Sequence, residues 1–291
     1  MITTEASIVN AIREVRHQEA DPASITPMGG GSINACFQVS ATTSELFVKV
    51  NHAERYPFMF EREIAGLDLL RAESSFLVPK AYGISYQGDH AVLVMECLEK
   101  GISSETTDQR FAAALAAMHR QTQSQFGLED DNFIGSLPQW NDPMERWTDF
   151  FISQRLDPML EKAVDAGWMD KNDISLFERL YGSLEEHFPE EPPALLHGDL
   201  WAGNYMVVKG GLPALFDPAV YYGHRYMDLG MMQLFGGFQP HVFDGYRTHY
   251  PLDPNWREGT EVANLYPLLV HVNLFGSSYV QQVRSTLLRF T

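Results

Sequence analysis

The sequence predicts an α+β protein of two lobes: a small, β-rich N-terminal lobe over residues 1–96 and a larger, mainly helical C-terminal lobe over 97–291. Three observations predict it. Strand-like runs concentrate before residue 96, the composition changes after Lys100-Gly101, and most periodic segments beyond that point carry helical spacing. With 291 residues, 45% of them hydrophobic and 20% charged, the chain has material for a sizeable core and is too apolar for a disordered polyanion.

The elements follow in order. Ile8, Ile12 and Val15 recur at helical spacing, and Pro22, Pro27 and Gly29-Gly30-Gly31 break the pattern. Ala35–Val39 and Leu46–Val50 read as strands joined by the polar turn Ser40–Ser44. Phe60–Arg71 returns to helical spacing, with Phe60, Ile64, Leu67 and Leu70 on one stripe. Val78-Pro79 ends that unit, and Ala91–Met95 is an apolar strand leading into Glu96-Cys97-Leu98. Beyond it, residues 108–119, 147–160, 174–188, 226–235 and 261–290 read as helical. Leu195–Val208 and Leu212–Phe216 supply short strands around Gly210-Gly211.

Charge and cysteine usage exclude several classes. Lys and Arg total 21 against 38 Asp and Glu, a formal charge of −17. That balance argues against a nucleic-acid partner, whose phosphates call for clustered cations, and against docking on an anionic membrane. Cys36 and Cys97 make neither a disulfide framework nor a zinc site, and each is expected to be a small buried residue. With no apolar leader in residues 1–20 and no span-length apolar run, a cytoplasmic protein is expected, as monomer or homodimer.

The chemistry begins at His197-Gly198-Asp199-Leu200-Trp201-Ala202-Gly203-Asn204. Asp199 and Asn204 have the D-x-x-x-x-N spacing of a kinase catalytic loop, where the Asp takes the proton of an attacking hydroxyl and the Asn helps to hold Mg²⁺. Asp217 follows the apolar run Ala214-Leu215-Phe216, where a carboxylate is costly unless paired or metal-bound. Singly, an Asx turn and a helix cap would account for Asp199 and Asp217; together the three residues point to phosphoryl transfer. In the N-terminal lobe Lys49 interrupts an apolar strand and needs a partner. Glu63, bordering the Leu67/Leu70 stripe, is the natural one, and such a pair positions nucleotide phosphates in kinases. Gly30, Gly31 and Ser32 offer backbone N–H groups and a hydroxyl for phosphate, or simply a flexible turn. Glu96 and Leu98 offer backbone groups for an adenine, or an ordinary strand end.

These residues resemble the fructosamine kinase (ketosamine 3-kinase) family, within the wider aminoglycoside phosphotransferase-like kinases. The resemblance rests on Leu195 to Asn204, on Asp217-Pro218-Ala219-Val220-Tyr221-Tyr222-Gly223-His224-Arg225, and on Leu234-Phe235-Gly236-Gly237-Phe238. Supporting matches are Phe47 to Asn51, Met59 to Glu63, Leu115 to His119, Trp147 to Leu156 and His271 to Gly276. The resemblance implies a protein-kinase-like bilobal fold and ATP-dependent phosphorylation of a ketosamine hydroxyl, commonly O3, which destabilises the sugar adduct and reverses glycation. It implies Asp199 as base, Lys49 and Glu63 at the ATP phosphates, and Asn204 and Asp217 as Mg²⁺ ligands. The acceptor would be a small ketosamine or a glycated lysine or peptide, with Trp201 lining the sugar pocket unless it is a core tryptophan. His197 and Asp228 would brace the catalytic loop. His271, Asn273 and Phe275 stand where a C-terminal helix would close the acceptor pocket, or would simply pack.

The sequence departs from the family pattern at Tyr226 and Met227, where an acidic and a small residue are expected. That leaves acceptor shape open. The alternatives are a kinase of the same fold acting on an aminoglycoside, choline or a sugar, and a nucleotide-binding regulator without turnover.

Overall fold

Ile8, Ala11 and Ile12 are fully buried on one face of the helix Thr4–Arg16 (α1). The Thr3 hydroxyl accepts the Ala6 N–H at 3.3 Å and caps its start. Glu5 in the first turn and Arg13 and Arg16 in the last complement the helix dipole. The computed structural model describes residues 3–29 and 33–291, so Gly30, Gly31 and Ser32 lie outside the described residues. The buried face of α1 packs on a five-stranded sheet of β1 (Thr26–Met28), β2 (Ala35–Ser40), β3 (Glu45–His52), β4 (Ala81–Gln87) and β5 (His90–Glu96). Strand order is β1-β2-β3-β5-β4, antiparallel throughout. Val39, Leu46, Val48, Val50, Val92 and Val94 complete that core. The helix α2 (Met59–Glu73) connects β3 to β4.

The sequence reading finds β2, β3 and β5 and passes over β4. This strand sits at the sheet edge and carries a bulge between Ala81 and Gly83, which erases its alternation. Gly83 has φ +154, and a Cβ there would lie 3.2 Å from Val15 of α1.

Two compact units result: Met1–Asp108 with Gly203–Pro218, and Gln109–Ala202 with Ala219–Thr291. A single boundary at 96/97 does not capture the Gly203–Pro218 segment. Its strands Tyr205–Val208 and Leu212–Leu215 form a hairpin over Gly210-Gly211, both glycines at positive φ. Leu77 N–H donates to Pro213 O at 3.1 Å, Leu215 N–H to Leu77 O at 3.0 Å, and Gly101 N–H to Val207 O at 2.8 Å. These backbone bonds tie the hairpin to the first unit.

The second unit is mainly helical, the fold class expected, with small two-stranded pieces. The span read as one helix over 147–160 is helical at Trp147–Phe150, π-helical at Phe151–Leu156 and α-helical again at Asp157–Asp165. The 174–188 helix begins earlier, at Lys171, behind an Asp170 capping box and breaks at Gly182. The strand reading over 195–208 is interrupted: Ala194–Leu196 is a strand, pairing Leu196 with Tyr221, and a loop follows it. Pro240–His249, unread in the sequence, is a helix with proline in its first turn. Among the described residues no helix is long and apolar enough to cross a membrane. Both cysteines are half-buried rather than buried. Burial pushes each thiol up, away from the thiolate that a reactive cysteine needs.

Candidate active site

In the first unit, Val48 and Val50 turn inward toward the α1 core, so the alternation of β3 places Lys49 on the opposite face. Lys49 is 2% exposed there. Its Nζ donates to Glu63 Oε1 at 2.6 Å and to Asp217 Oδ1 at 2.5 Å. Burial alone would push the ammonium pKa down; the attraction of Asp217 and Glu63 outweighs it and holds Lys49 above the ordinary lysine value. Glu63 projects from α2, whose neighbouring Glu61 instead accepts the Tyr86 hydroxyl. Asp217 has φ +57, a left-handed conformation that Asp tolerates better than most residues. The Asn204 side-chain amide lies 3.5 Å from the Asp217 carbonyl, and Phe216 N–H donates to Asn204 O at 3.2 Å. Thus Lys49, Glu63, Asn204 and Asp217, distant in sequence, come together.

Glu96 and Leu98 are not bonded into this cluster. Glu96 pairs with Leu46 while Lys49 pairs with Leu93, a separation of three residues along β3, or about 10 Å. The Glu96 carboxylate accepts the Lys80 N–H at 3.1 Å. Leu98 is half-buried beyond the end of β5.

In the second unit, the loop after Ala194–Leu196 is held through its backbone. Asp228 Oδ2 accepts His197 N–H at 2.8 Å and Asp228 Oδ1 accepts Gly198 N–H at 2.9 Å. His119 Nε2 lies 3.2 Å from the same carboxylate, and its Nδ1 lies 2.8 Å from the Tyr246 hydroxyl. Asp228 is therefore a brace, as the resemblance implies. Gly198, at φ +81, admits no side chain: a Cβ would meet Ala219 O at 2.0 Å. Ala219 N–H donates to His197 O at 2.9 Å, and Asp199 N–H donates to His197 Nδ1 at 3.3 Å. His197 is completely buried, which suits bracing.

A buried polar network that the sequence does not reveal supports the same segment. Gln139 Nε2 donates to Ala219 O at 3.0 Å and to Asn132 Oδ1 at 2.8 Å, while Asn132 Nδ2 donates to Val220 O at 2.7 Å. Tyr266 O–H donates to Gln139 Oε1 at 2.8 Å. Arg155, fully buried in the π-helical turn, donates to Asn141 Oδ1 at 2.7 Å and stands 3.9 Å over the Tyr221 ring. No spacing marks these residues, because their partners are backbone carbonyls and side-chain amides on other segments of the chain.

Trp201 is 38% exposed, so it is not a core tryptophan. Its ring meets Phe235 edge-on, and Phe235 meets His271 at 4.7 Å between centroids. Asn273 is spent on structure: its amide donates to Met159 O at 2.8 Å and Leu269 O at 3.0 Å.

Among the described residues no group of three or more His, Cys, Asp or Glu stands ready for a metal. Mg²⁺ bound with nucleotide needs only one or two protein oxygens besides phosphate and water. The Asp217 carboxylate, partly exposed at 43%, fits that demand, and the Asn204 amide lies beside the Asp217 main-chain carbonyl.

The chain matches the fructosamine kinase family over residues 4–290. It is 38% identical over 273 residues to a protein of Enterococcus faecium named a probable ketoamine kinase, covering 91% of this chain and 95% of that one. A solved Thermobifida fusca structure carrying a fructosamine-3-kinase name superposes with a TM-score of 0.87 at 32% identity, covering 98% of each chain. An aminoglycoside phosphotransferase superposes at 0.61 with 12% identity over 97% of this chain and 99% of its own, a likeness of fold alone. The fold is thus the protein-kinase-like one of those phosphotransferases, and the chain belongs to the fructosamine kinase family.

Proposed function

We propose that this protein is an ATP-dependent kinase that phosphorylates a sugar hydroxyl, O3 in the family pattern, of fructosamines or ribulosamines, and so promotes deglycation. The observation that carries the reading is the Lys49 ammonium, buried between Glu63 at 2.6 Å and Asp217 at 2.5 Å. A lysine so held is a fixed positive point beside a partly exposed carboxylate, which supports binding of a nucleotide's phosphates with a divalent cation. Asn204 and Asp217 would hold Mg²⁺, which when bound neutralises charge on the transferred phosphoryl group. Lys49 orients the α- and β-phosphates while Glu63 holds Lys49 in place. Asp199 accepts the acceptor hydroxyl proton as that oxygen bonds to the γ-phosphorus of ATP, while the bond from that phosphorus to the β,γ-bridging oxygen breaks and ADP leaves. Gly30, Gly31 and Ser32 supply N–H and hydroxyl donors for phosphate, and Glu96 to Leu98 receives the adenine. In this reading 1–96 is the nucleotide lobe and 97–291 carries catalytic, cation and acceptor residues. Trp201 and His271 line the acceptor pocket. The protein works in the cytoplasm, as monomer or homodimer.

The test is ATP consumption with Mg²⁺ against fructosyl-lysine, ribulosyl-lysine, a glycated peptide, an aminoglycoside and choline, with the phosphorylated product identified by mass. Phosphate is expected on ketosamines. In parallel, Asp199→Asn is expected to lower turnover by about 10²–10⁴ while ATP still binds. Product only from choline or the aminoglycoside would discard the ketosamine substrate, and full turnover in Asp199→Asn would remove Asp199 from the base role.

A further inference from the structure

Large aromatic side chains exposed to solvent are costly, and here four gather in one part of the second unit. Trp168, Trp201, Phe235 and Phe275 are 41%, 38%, 37% and 52% exposed. Three of them belong to a continuous run of rings. Trp201 meets Phe235 at 6.3 Å, Phe235 meets His271 at 4.7 Å, and His271 meets Phe275 at 5.4 Å and Tyr279 at 4.9 Å. The helix Leu265–Phe275 then ends at Gly276, whose φ of +84 turns the chain. A Cβ at Gly276 would lie 3.4 Å from the Trp168 ring, so Trp168 flanks the far end of the run.

The centre of this strip has a defined hydrogen-bonding character. His271 Nδ1 lies 2.7 Å from Pro267 O, and because a carbonyl only accepts, Nδ1 carries the proton. Burial also pushes the imidazole pKa down, despite that bond, which favours the neutral ring. In the neutral ring Nε2 is an acceptor, and the ring itself stands beside those of Phe235, Phe275 and Tyr279. Such a surface suits a hydrocarbon or aryl chain that carries a cationic N–H: the rings take the chain and attract the charge, and Nε2 accepts the proton. A net charge of −17 favours the same kind of ligand.

The strip starts at Trp201, two residues after Asp199, which ties its occupant to the acceptor. We propose that Phe235, His271, Phe275 and Tyr279 form a subsite for the amine-derived arm of the ketosamine, selecting adducts whose protonated secondary amine carries a long hydrocarbon or aryl chain. This rests on the ketosamine reading above and adds to it the side of the substrate that the sugar does not define. Short, anionic arms, such as that of fructosyl-glycine, leave the rings uncovered and set a carboxylate against aromatic faces.

The experiment compares kcat/KM for fructosyl-benzylamine, fructosyl-butylamine and fructosyl-glycine, three acceptors with one sugar. The first two are expected to exceed the third at least tenfold, with the difference in KM. In Phe275→Ser and in Tyr279→Ser that ratio is expected to fall toward one. In Leu288→Ser, which alters another exposed apolar residue, it is expected to stay at the wild-type value. Quenching of tryptophan fluorescence by fructosyl-benzylamine, weakened in Phe275→Ser, gives a second readout without turnover. Equal use of all three acceptors by the wild-type protein, or an unchanged ratio in both serine variants, overturns the subsite and leaves ketosamine phosphorylation standing. No phosphorylation of any of the three, in protein that binds ATP, overturns both.

Discussion

Lys49 and Asp228 are almost equally buried, at 2% and 1% exposure, yet their charges are met by different means. Lys49 is neutralised by two carboxylates, Glu63 and Asp217, contributed by α2 and by the turn after Leu212–Leu215. Asp228 is solvated by backbone: two successive N–H groups, of His197 and Gly198, converge on it, with His119 completing the shell. The first arrangement fixes where a side-chain charge stands, and its parts lie far apart in sequence. The second fixes the path of a loop, and Asp199 is carried at the end of that path. Charge pairing therefore marks the proposed nucleotide and cation residues, and backbone anchoring marks the proposed base.

Breaking each arrangement separately sharpens the contrast. Lys49→Met leaves Glu63 buried without its cation, and the loss of one partner of a buried pair is expected to cost about 3 kcal/mol of stability. ATP affinity should fall with it; calorimetric titration and chemical denaturation of the same variant measure both, and unchanged ATP affinity would detach Lys49 from the nucleotide. Asp228→Asn places an amide where a carboxylate oxygen receives a backbone N–H, at a cost of about 1–3 kcal/mol. Because the loop shifts and Lys49 does not, turnover is expected to fall about 10–100-fold with KM for ATP unchanged. Steady-state kinetics at saturating acceptor reads this, and a rise in KM for ATP of similar size would contradict it.

The smallest effect concerns a residue that serves neither arrangement directly. His224 Nε2–H donates to Pro189 O at 3.2 Å, and Nδ1 accepts Tyr226 N–H at 3.2 Å. A second proton would face that N–H, and burial, partly opposed by Glu191, pushes the imidazole down to about 4 from 6.5. The folded protein then binds fewer protons than the unfolded chain between those values. The stability contributed is complete above pH 6.5 and is lost as pH falls toward 4, at up to about 1.4 kcal/mol per pH unit. Thermal melting from pH 7 to 4.5 should show this slope, and His224→Gln should flatten it; an identical slope in the variant would assign it to other groups.

The two regions were not equally legible. Lys49 could be read from β3 because an ammonium inside an apolar alternation demands a partner, and Glu63 lay at the right place on a helical stripe. Asp199, Asn204 and Asp217 stood out because their order and spacing belong to one chemistry. Gln139, Asn132 and Tyr266 could not be read: the first two bond backbone carbonyls, which any residue type presents, and Tyr266 bonds the side chain of Gln139 on a distant segment. Edge strand β4 escaped because its bulge removes the alternation on which strand reading depends. Trp201 had two open readings, core or pocket, and its 38% exposure removes the first.

By itself the sequence determined the fold class and the family and supplied the residues proposed for phosphoryl transfer, because periodicity, order and residue chemistry are local properties of a chain. The tertiary structure decided which of those residues meet. It closed Lys49 on both Glu63 and Asp217 and set Glu96 about three residues along β3 from them. It hung the His197-Gly198-Asp199 loop on Asp228, and it lined Phe235, His271, Phe275 and Tyr279 into one aromatic surface. Contacts of this kind are set by packing between separate segments of the chain or by the turn at a helix end, where no repeating pattern records them.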